Sequence, residues 1–355
     1  MLTLRRDADQ VMDRTKQFYD SGKKGALIQV RNIRSIRSTP DRSLKEWNLP
    51  GNMKQYLDAC MDVFTEYWQC RQSVDDDLIP ALSPWYGISE HTAFIGGSVE
   101  FSDTTSWHKQ VLTNYDKMSI LKLEEDNVWL RAVVDGIAYM KEKLAGKAAV
   151  KLRGGSCPLD IANALRGNDL FTDFFDDADK VHELLEFCTT AEKWTLDRQL
   201  EAAGDFYGGV ISGFDVWLPG RSVGHLAEDT SCLCSPDIYV EFGLPYTKKL
   251  LDGYDCAFMH THALGRHSIG HIASIEKIKF IEISNDPNCE RAIEIYKKLE
   301  DVLKDKIVIV ELTYDEIKNN LEFLKNARTI IWHGARDIDE AKNTVKLVRE
   351  HLNSQ

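Results

Sequence analysis

His260-Thr261-His262 closes the apolar run Cys256-Ala257-Phe258-Met259. In an extended strand, side chains two residues apart leave on one face, so both imidazoles point the same way. A second apolar run, Thr329-Ile330-Ile331-Trp332, ends on His333. If both runs are strands of one parallel sheet, His260, His262 and His333 meet at its carboxyl-terminal edge, where α/β enzymes place their chemistry. Three neutral imidazoles are a ligand set for a catalytic divalent metal, with zinc the first candidate. Glu282 shares strand parity with Phe280 and Ser284, opposite Ile281 and Ile283, and is expected to complete the shell. Imidazole and carboxylate leave an ion more electrophilic than thiolates do. Such an ion suits polarising oxygen or lowering the pKa of bound water.

The elements that must carry these residues follow a regular alternation from about residue 145. Strands are expected at Ala148–Leu152, Val210–Leu218, Cys256–His262, Lys277–Asn285, Ile307–Leu312 and Thr329–His333. Helical spacing fills Leu159–Leu165, Asp177–Ala203, Cys289–Lys304, Tyr314–Asn326 and Asp337–Leu352. Ser235-Pro236-Asp237 opens a further helix, with a serine cap and proline in the first turn. Earlier, Ala26–Val30 and Leu78–Leu82 read as strands, and Met53–Gln69 and Val128–Leu144 as helices. Strands separated by helices pair in parallel through right-handed crossovers. About eight such units, without a Pro/Gly/Ser linker, predict one domain over residues 1–355. Its expected fold is a (β/α)8 TIM barrel with an N-terminal helical extension. An open doubly wound sheet is the alternative. No glycine-rich phosphate fingerprint follows any strand, which argues against dinucleotide binding.

Composition narrows the partners. The chain has 355 residues, 44 Lys and Arg against 56 Asp and Glu, and a formal charge of -12. That excess of carboxylates argues against nucleic acid or an anionic membrane and leaves a small-molecule substrate. No apolar stretch approaches the roughly 20 residues of a membrane span, and the start is charged too early for a secretory signal. The expected location is cytoplasmic. The eight cysteines form no small-domain framework and read as reduced thiols.

Four segments resemble the uroporphyrinogen decarboxylase superfamily, which includes the decarboxylase of haem biosynthesis and the methylcobamide:coenzyme M methyltransferases. Gly154-Gly155-Ser156-Cys157-Pro158-Leu159-Asp160, with Leu165-Arg166-Gly167, is similar to the family's Gly-rich segment and short helix. Glu228-Asp229-Thr230 and the run Leu233 to Tyr246 resemble its Asp-Ser segment and the helix ending in Pro-Tyr. Met259-His260-Thr261-His262 stands where the methyltransferases carry His-x-Cys. Trp332-His333-Gly334 resembles the Gly-His-Gly near the decarboxylase C-terminus. Together these cover roughly residues 150 to 350.

The resemblance implies roles for particular residues. Arg31 matches the first arginine of an Arg-Gln-Ala-Gly-Arg segment that holds substrate carboxylates, but Ser35 stands at the second. Asp77 matches the aspartate that stabilises a protonated pyrrole, and Asp229 and Thr230 match the Asp-Ser pair. Asn163 takes the place of the short helix's tyrosine. Arg34 is expected to share a face with Arg31 and grip anionic groups, as is His267 at a loop mouth. In this reading Arg31, Asp77, Asp229 and Thr230 are catalytic, while Arg34, Asn163 and His267 bind cofactor or substrate. The leading expectation is metal-dependent methyl transfer with a corrinoid carried by a partner protein. Next come a metal-free decarboxylase of a tetrapyrrole or smaller polycarboxylic acid, and a non-catalytic corrinoid- or tetrapyrrole-binding protein. A corrinoid protein and a homodimer are the macromolecular partners left open.

Overall fold

Continuous aliphatic runs such as Ile307-Val308-Ile309-Val310 form strands buried on both faces, as in a parallel sheet covered by helices. The structure, a computed structural model, describes residues 2–352. Its strands, in chain order, are β1 (Gly25–Ile33), β2 (Ala81–Leu82), β3 (Glu100–Phe101), β4 (Ser106–Trp107), β5 (Ala149–Val150) and β6 (Gly155–Ser156). There follow β7 (Gly209–Ile211), β8 (Trp217–Pro219), β9 (Val223–Ala227), β10 (Ala257–His262), β11 (Ile278–Ser284), β12 (Ile307–Glu311) and β13 (Arg328–Ala335).

Seven of them form one parallel sheet in the order β1-β13-β12-β11-β10-β9-β6. A separate parallel pair joins β2 to β5, and β5 leads into β6 through four residues. Between β1 and β2 the link is made by two aspartates. The Asp77 amide donates to the Ile28 carbonyl, and the Asp77 and Asp76 carboxylates accept from the amides of Ile28 and Val30. The fold is therefore mixed α/β around a central parallel sheet, with helices between successive strands.

Register decides which side chains share a face. Phe258, His260 and His262 pair with Phe280, Glu282 and Ser284, and Gln29 pairs with Trp332. Phe258 stacks on Trp332 and Gln29 accepts from the Trp332 indole, so these residues lie on one face. The other face is covered by helices, including the terminal helix Ile338–Leu352 against β1 and β13.

Two expectations are corrected. The stretch Val210–Leu218 is an antiparallel hairpin, β7–β8, folded back at residues 212–216. Gly213 lets this turn press on the Arg153 carbonyl, where a Cβ would come within 2.7 Å. The sheet strand is instead β9, whose Val-Gly-His-Leu-Ala sequence carries little β signal. The long helices expected at Cys289–Lys304 and Tyr314–Asn326 each break into two short ones.

Candidate metal centre

The site grows from the carboxyl end of β10. His260 and His262 project together, and their Nε2 atoms come within 3.1 Å of each other. Each ring is held from behind through Nδ1. The partner of His260 is the Glu282 carboxylate, delivered by register from β11. The partner of His262 is Asp286, just beyond the end of β11, at 2.7 Å. A carboxylate at Nδ1 fixes the proton there and leaves the Nε2 lone pair free. Two such lone pairs 3.1 Å apart repel unless a proton or a cation lies between them.

Asp229 brings the third ligand atom from the turn after β9. Its Oδ1 lies 3.3 Å from His262 Nε2 and 3.8 Å from His260 Nε2. That turn is fastened by Asp160, whose carboxylate accepts from the amides of Asp229 and Thr230 at 2.9 and 2.7 Å. Ligand atoms of Asp229, His260 and His262 all lie within 4.8 Å of one another, so the group can hold a metal ion. Two ligands each about 2.05 Å from a tetrahedral zinc sit about 3.3 Å apart, close to the spacing seen here.

The charge balance favours a cation. Three carboxylates, Asp229, Glu282 and Asp286, surround two imidazoles. The hydrogen bond to Asp229, opposed by burial and reinforced by Asp286, pushes His262 up to about 9. Burial would raise the Asp229 carboxyl, but its bond to His262 and the charges of both histidines hold it below its ordinary value. Burial, and then the charge of Asp229, pushes Asp160 well upward.

A cavity of about 310 Å³ opens beside the centre. Asp229, Thr230 and His260 line it together with Trp85, His91, His108 and Arg153. Burial drives His108 down to about 4 and, with the charge of Arg153, holds His91 well below its ordinary range, so both rings are neutral. The Arg153 guanidinium is ion-paired to buried Glu90 and stacks 4.3 Å over Trp85. Phe214, at the tip of the β7–β8 hairpin, stacks on His225 and meets His260 edge-on at 5.3 Å. No protein-family model matches the chain, and no curated protein matches it.

The other expected residues are distributed as follows. His333 is not a ligand here. It is adjacent to inward-facing Trp332, so strand alternation turns it to the helix layer, where Leu312 O and Thr344 Oγ1 take its two ring nitrogens. Glu282 reaches the site as the partner of His260 rather than as a member of the three-atom cluster. Asp77 lies in a buried ion network with Arg14 and Arg349, not in the cavity. Arg31 shares the inward face, but its guanidinium lies over Trp332 and contacts Asp215, so Phe214 stands between it and His260. Arg34 is exposed. His267 bonds the carbonyls of Ser231 and Cys234 and so braces the turn that carries Asp229. Asn163 and Thr230 do line the cavity.

Asp286, Asp160, His225 and Arg153 had no site role in the sequence expectations. Asp286 alone left a signal: it follows Glu282 by four residues, where a parallel neighbour of β10 must end.

Proposed function

We propose that the chain is a metal-dependent enzyme of the uroporphyrinogen-decarboxylase-like superfamily. It would move a methyl group between a small substrate and a corrinoid carried by a partner protein. The observation that carries the metal-dependent part is the convergence of His260 Nε2, His262 Nε2 and an Asp229 oxygen beside a cavity that Asp229 and His260 line. The corrinoid and the methyl group come from the resemblance of the four segments named above.

The same reading takes the scaffold to be a (β/α)8 barrel. Its eight segments would be β1, β2, β5 with β6, and β9 to β13, with Asp76 and Asp77 closing the interval between β1 and β2. The centre then lies at the carboxyl ends of the strands, the functional end of such barrels.

Asp229, His260 and His262 would hold the ion, while Glu282 and Asp286 keep both imidazoles in the ligating tautomer. A divalent ion with this oxygen- and nitrogen-rich shell supplies Lewis acidity toward an oxygen atom. The chain's own groups shape the rest. Neutral His91 and His108 offer hydrogen bonds without charge, and Phe214 and Trp85 give apolar walls that exclude water. At about 310 Å³ the cavity lies at the small end of ligand pockets and suits a small methylated substrate better than a tetrapyrrole.

Elemental analysis of purified protein should give close to one divalent ion per chain, lost in His262→Ala. The loaded protein should then change the absorbance of free cob(I)alamin when supplied with small methoxylated compounds. Absence of any stoichiometric ion sinks the metal reading. An ion without any cobalamin change leaves metal dependence standing and removes the methyl transfer.

A further inference from the structure

We propose a second binding site at the opposite end of the sheet, for a phosphate-bearing small molecule of nucleotide size. A cleft of about 560 Å³ there is lined by Arg14, Lys23, Lys24, Lys325 and Arg349. Among the described residues no aspartate or glutamate lines it, although the chain carries 56 acidic against 44 basic side chains. Its wall includes Ala26 and Leu27 at the start of β1, and Lys325 and Asn326 just before β13. His260 and His262 lie at the other, carboxyl end of β10 in the same parallel sheet, so the two sites are separate.

The cations are of two kinds. Arg14 and Arg349 are fixed, since both bond the fully buried Asp77 carboxylate, at 3.2 and 2.7 Å. Arg14 also holds a buried Nη2 that lies 3.8 Å from the exposed Asp75 carboxylate and makes no hydrogen bond. Lys23, Lys24 and Lys325 are exposed, and among the described residues their ammonium groups make no ion pair. Asp77 and, at 3.8 Å, Asp75 offset the two arginines, so the excess charge is that of the three lysines. Gathering it in a concavity costs energy that a polyanion relieves, and the concave shape focuses the field on that ligand. Rigid guanidinium forks flanked by mobile ammonium groups suit phosphate oxygens. Phe18 and Leu352 add apolar wall, which an inorganic ion would not use. The volume falls in the range of small-molecule sites.

The test is calorimetric titration of ATP, ADP, AMP and pyrophosphate into the intact protein in magnesium-free buffer. One ATP should bind per chain, more tightly than ADP and ADP more tightly than AMP, and all three should weaken as salt rises. The triple variant Lys23→Ala, Lys24→Ala, Lys325→Ala should bind ATP at least about tenfold more weakly, with an unchanged circular dichroism spectrum. His260→Ala should bind ATP as the wild type does. No saturable ATP binding, an unchanged affinity in the triple variant, or a loss in His260→Ala would each overturn the site. Pyrophosphate binding as tightly as ATP would overturn the part given to the apolar wall.

Discussion

His260 Nε2 faces His262 Nε2 at 3.1 Å while each ring is anchored from behind by its own carboxylate. Neither ring can turn away without breaking a bond to Glu282 or Asp286. The pair is therefore preorganised for a positive charge, and the energy of arranging it is spent on folding rather than on binding.

The first prediction concerns those anchors. Glu282→Gln and Asp286→Asn leave all three ligand atoms in place but weaken the grip on the Nδ1 protons. Each should lower metal affinity by about 10–100-fold, as removal of outer carboxylates does elsewhere. Competition against a chromogenic chelator measures this. Affinities equal to wild type would show that Glu282 and Asp286 do not support the ligands.

The second follows from His262. Its imidazole, pushed from an ordinary 6.5 to about 9 chiefly by Asp229, carries a proton at neutral pH in the metal-free protein. An ion must displace that proton, so apparent affinity should rise about tenfold per pH unit from near 7 toward 9 and then level off. Without metal the sign is opposite. A raised folded-state pKa contributes stability that is complete below 6.5 and is lost as pH climbs through about 9. Chelator competition across pH checks the first slope, and urea melts of the metal-free protein check the second. A pH-independent affinity would remove the proton from the site.

Much of this centre could be read before folding. The x-spaced histidines needed only the period of a strand, and Glu282 needed only parity with Phe280. Asp229 was reached through the resemblance, and its position beside the imidazoles is a property of the turn after β9. His333 failed on the same parity that found Glu282. Trp332 and His333 are neighbours, so one must face the helices, and the large indole fills the inward side against Phe258. The hairpin β7–β8 was hidden for another reason. Val210 to Leu218 is strand-like at both ends, with Ser212-Gly213 and Asp215 closing a turn through local bonds between Ser212 and Asp215 and Val216. The seating of Phe214 among His225, Phe258 and His260 adds long-range contacts that reward the fold-back. Periodicity reports local faces and is silent about contacts of that kind.

A third prediction separates His333 from the centre. The ring is buried, with both nitrogens bonded to Leu312 and Thr344. His333→Ala strands the buried Leu312 carbonyl, leaves the Thr344 hydroxyl with the Glu340 carbonyl alone and opens a void, which should cost about 1–3 kcal/mol in a urea melt. Metal content of the folded protein should stay at the wild-type level. Loss of the ion in folded His333→Ala would restore this histidine as a ligand.

The last prediction turns on Asp76 and Asp77, adjacent in sequence and unequal in burden. Asp76 pairs with Arg71 at 2.6 Å and Arg5 at 2.8 Å and accepts from the Val30 amide at 2.8 Å. Both of its guanidinium partners are buried, and although Arg5 keeps Asp7, Asp76→Ala leaves the Arg71 cation uncompensated, a loss of about 3–5 kcal/mol. Asp77 pairs with Arg14 and Arg349, whose side chains are 35% and 24% exposed, so water can replace the lost carboxylate in part. Asp77→Ala should therefore cost less than Asp76→Ala while still loosening β1 from the segment before β2. Neither change should alter the metal content of folded protein. A catalytic Asp77 predicts the reverse pattern, with activity abolished and the urea midpoint unmoved. Paired melts and activity assays of the two variants decide between a fastening of the sheet and a group that meets substrate.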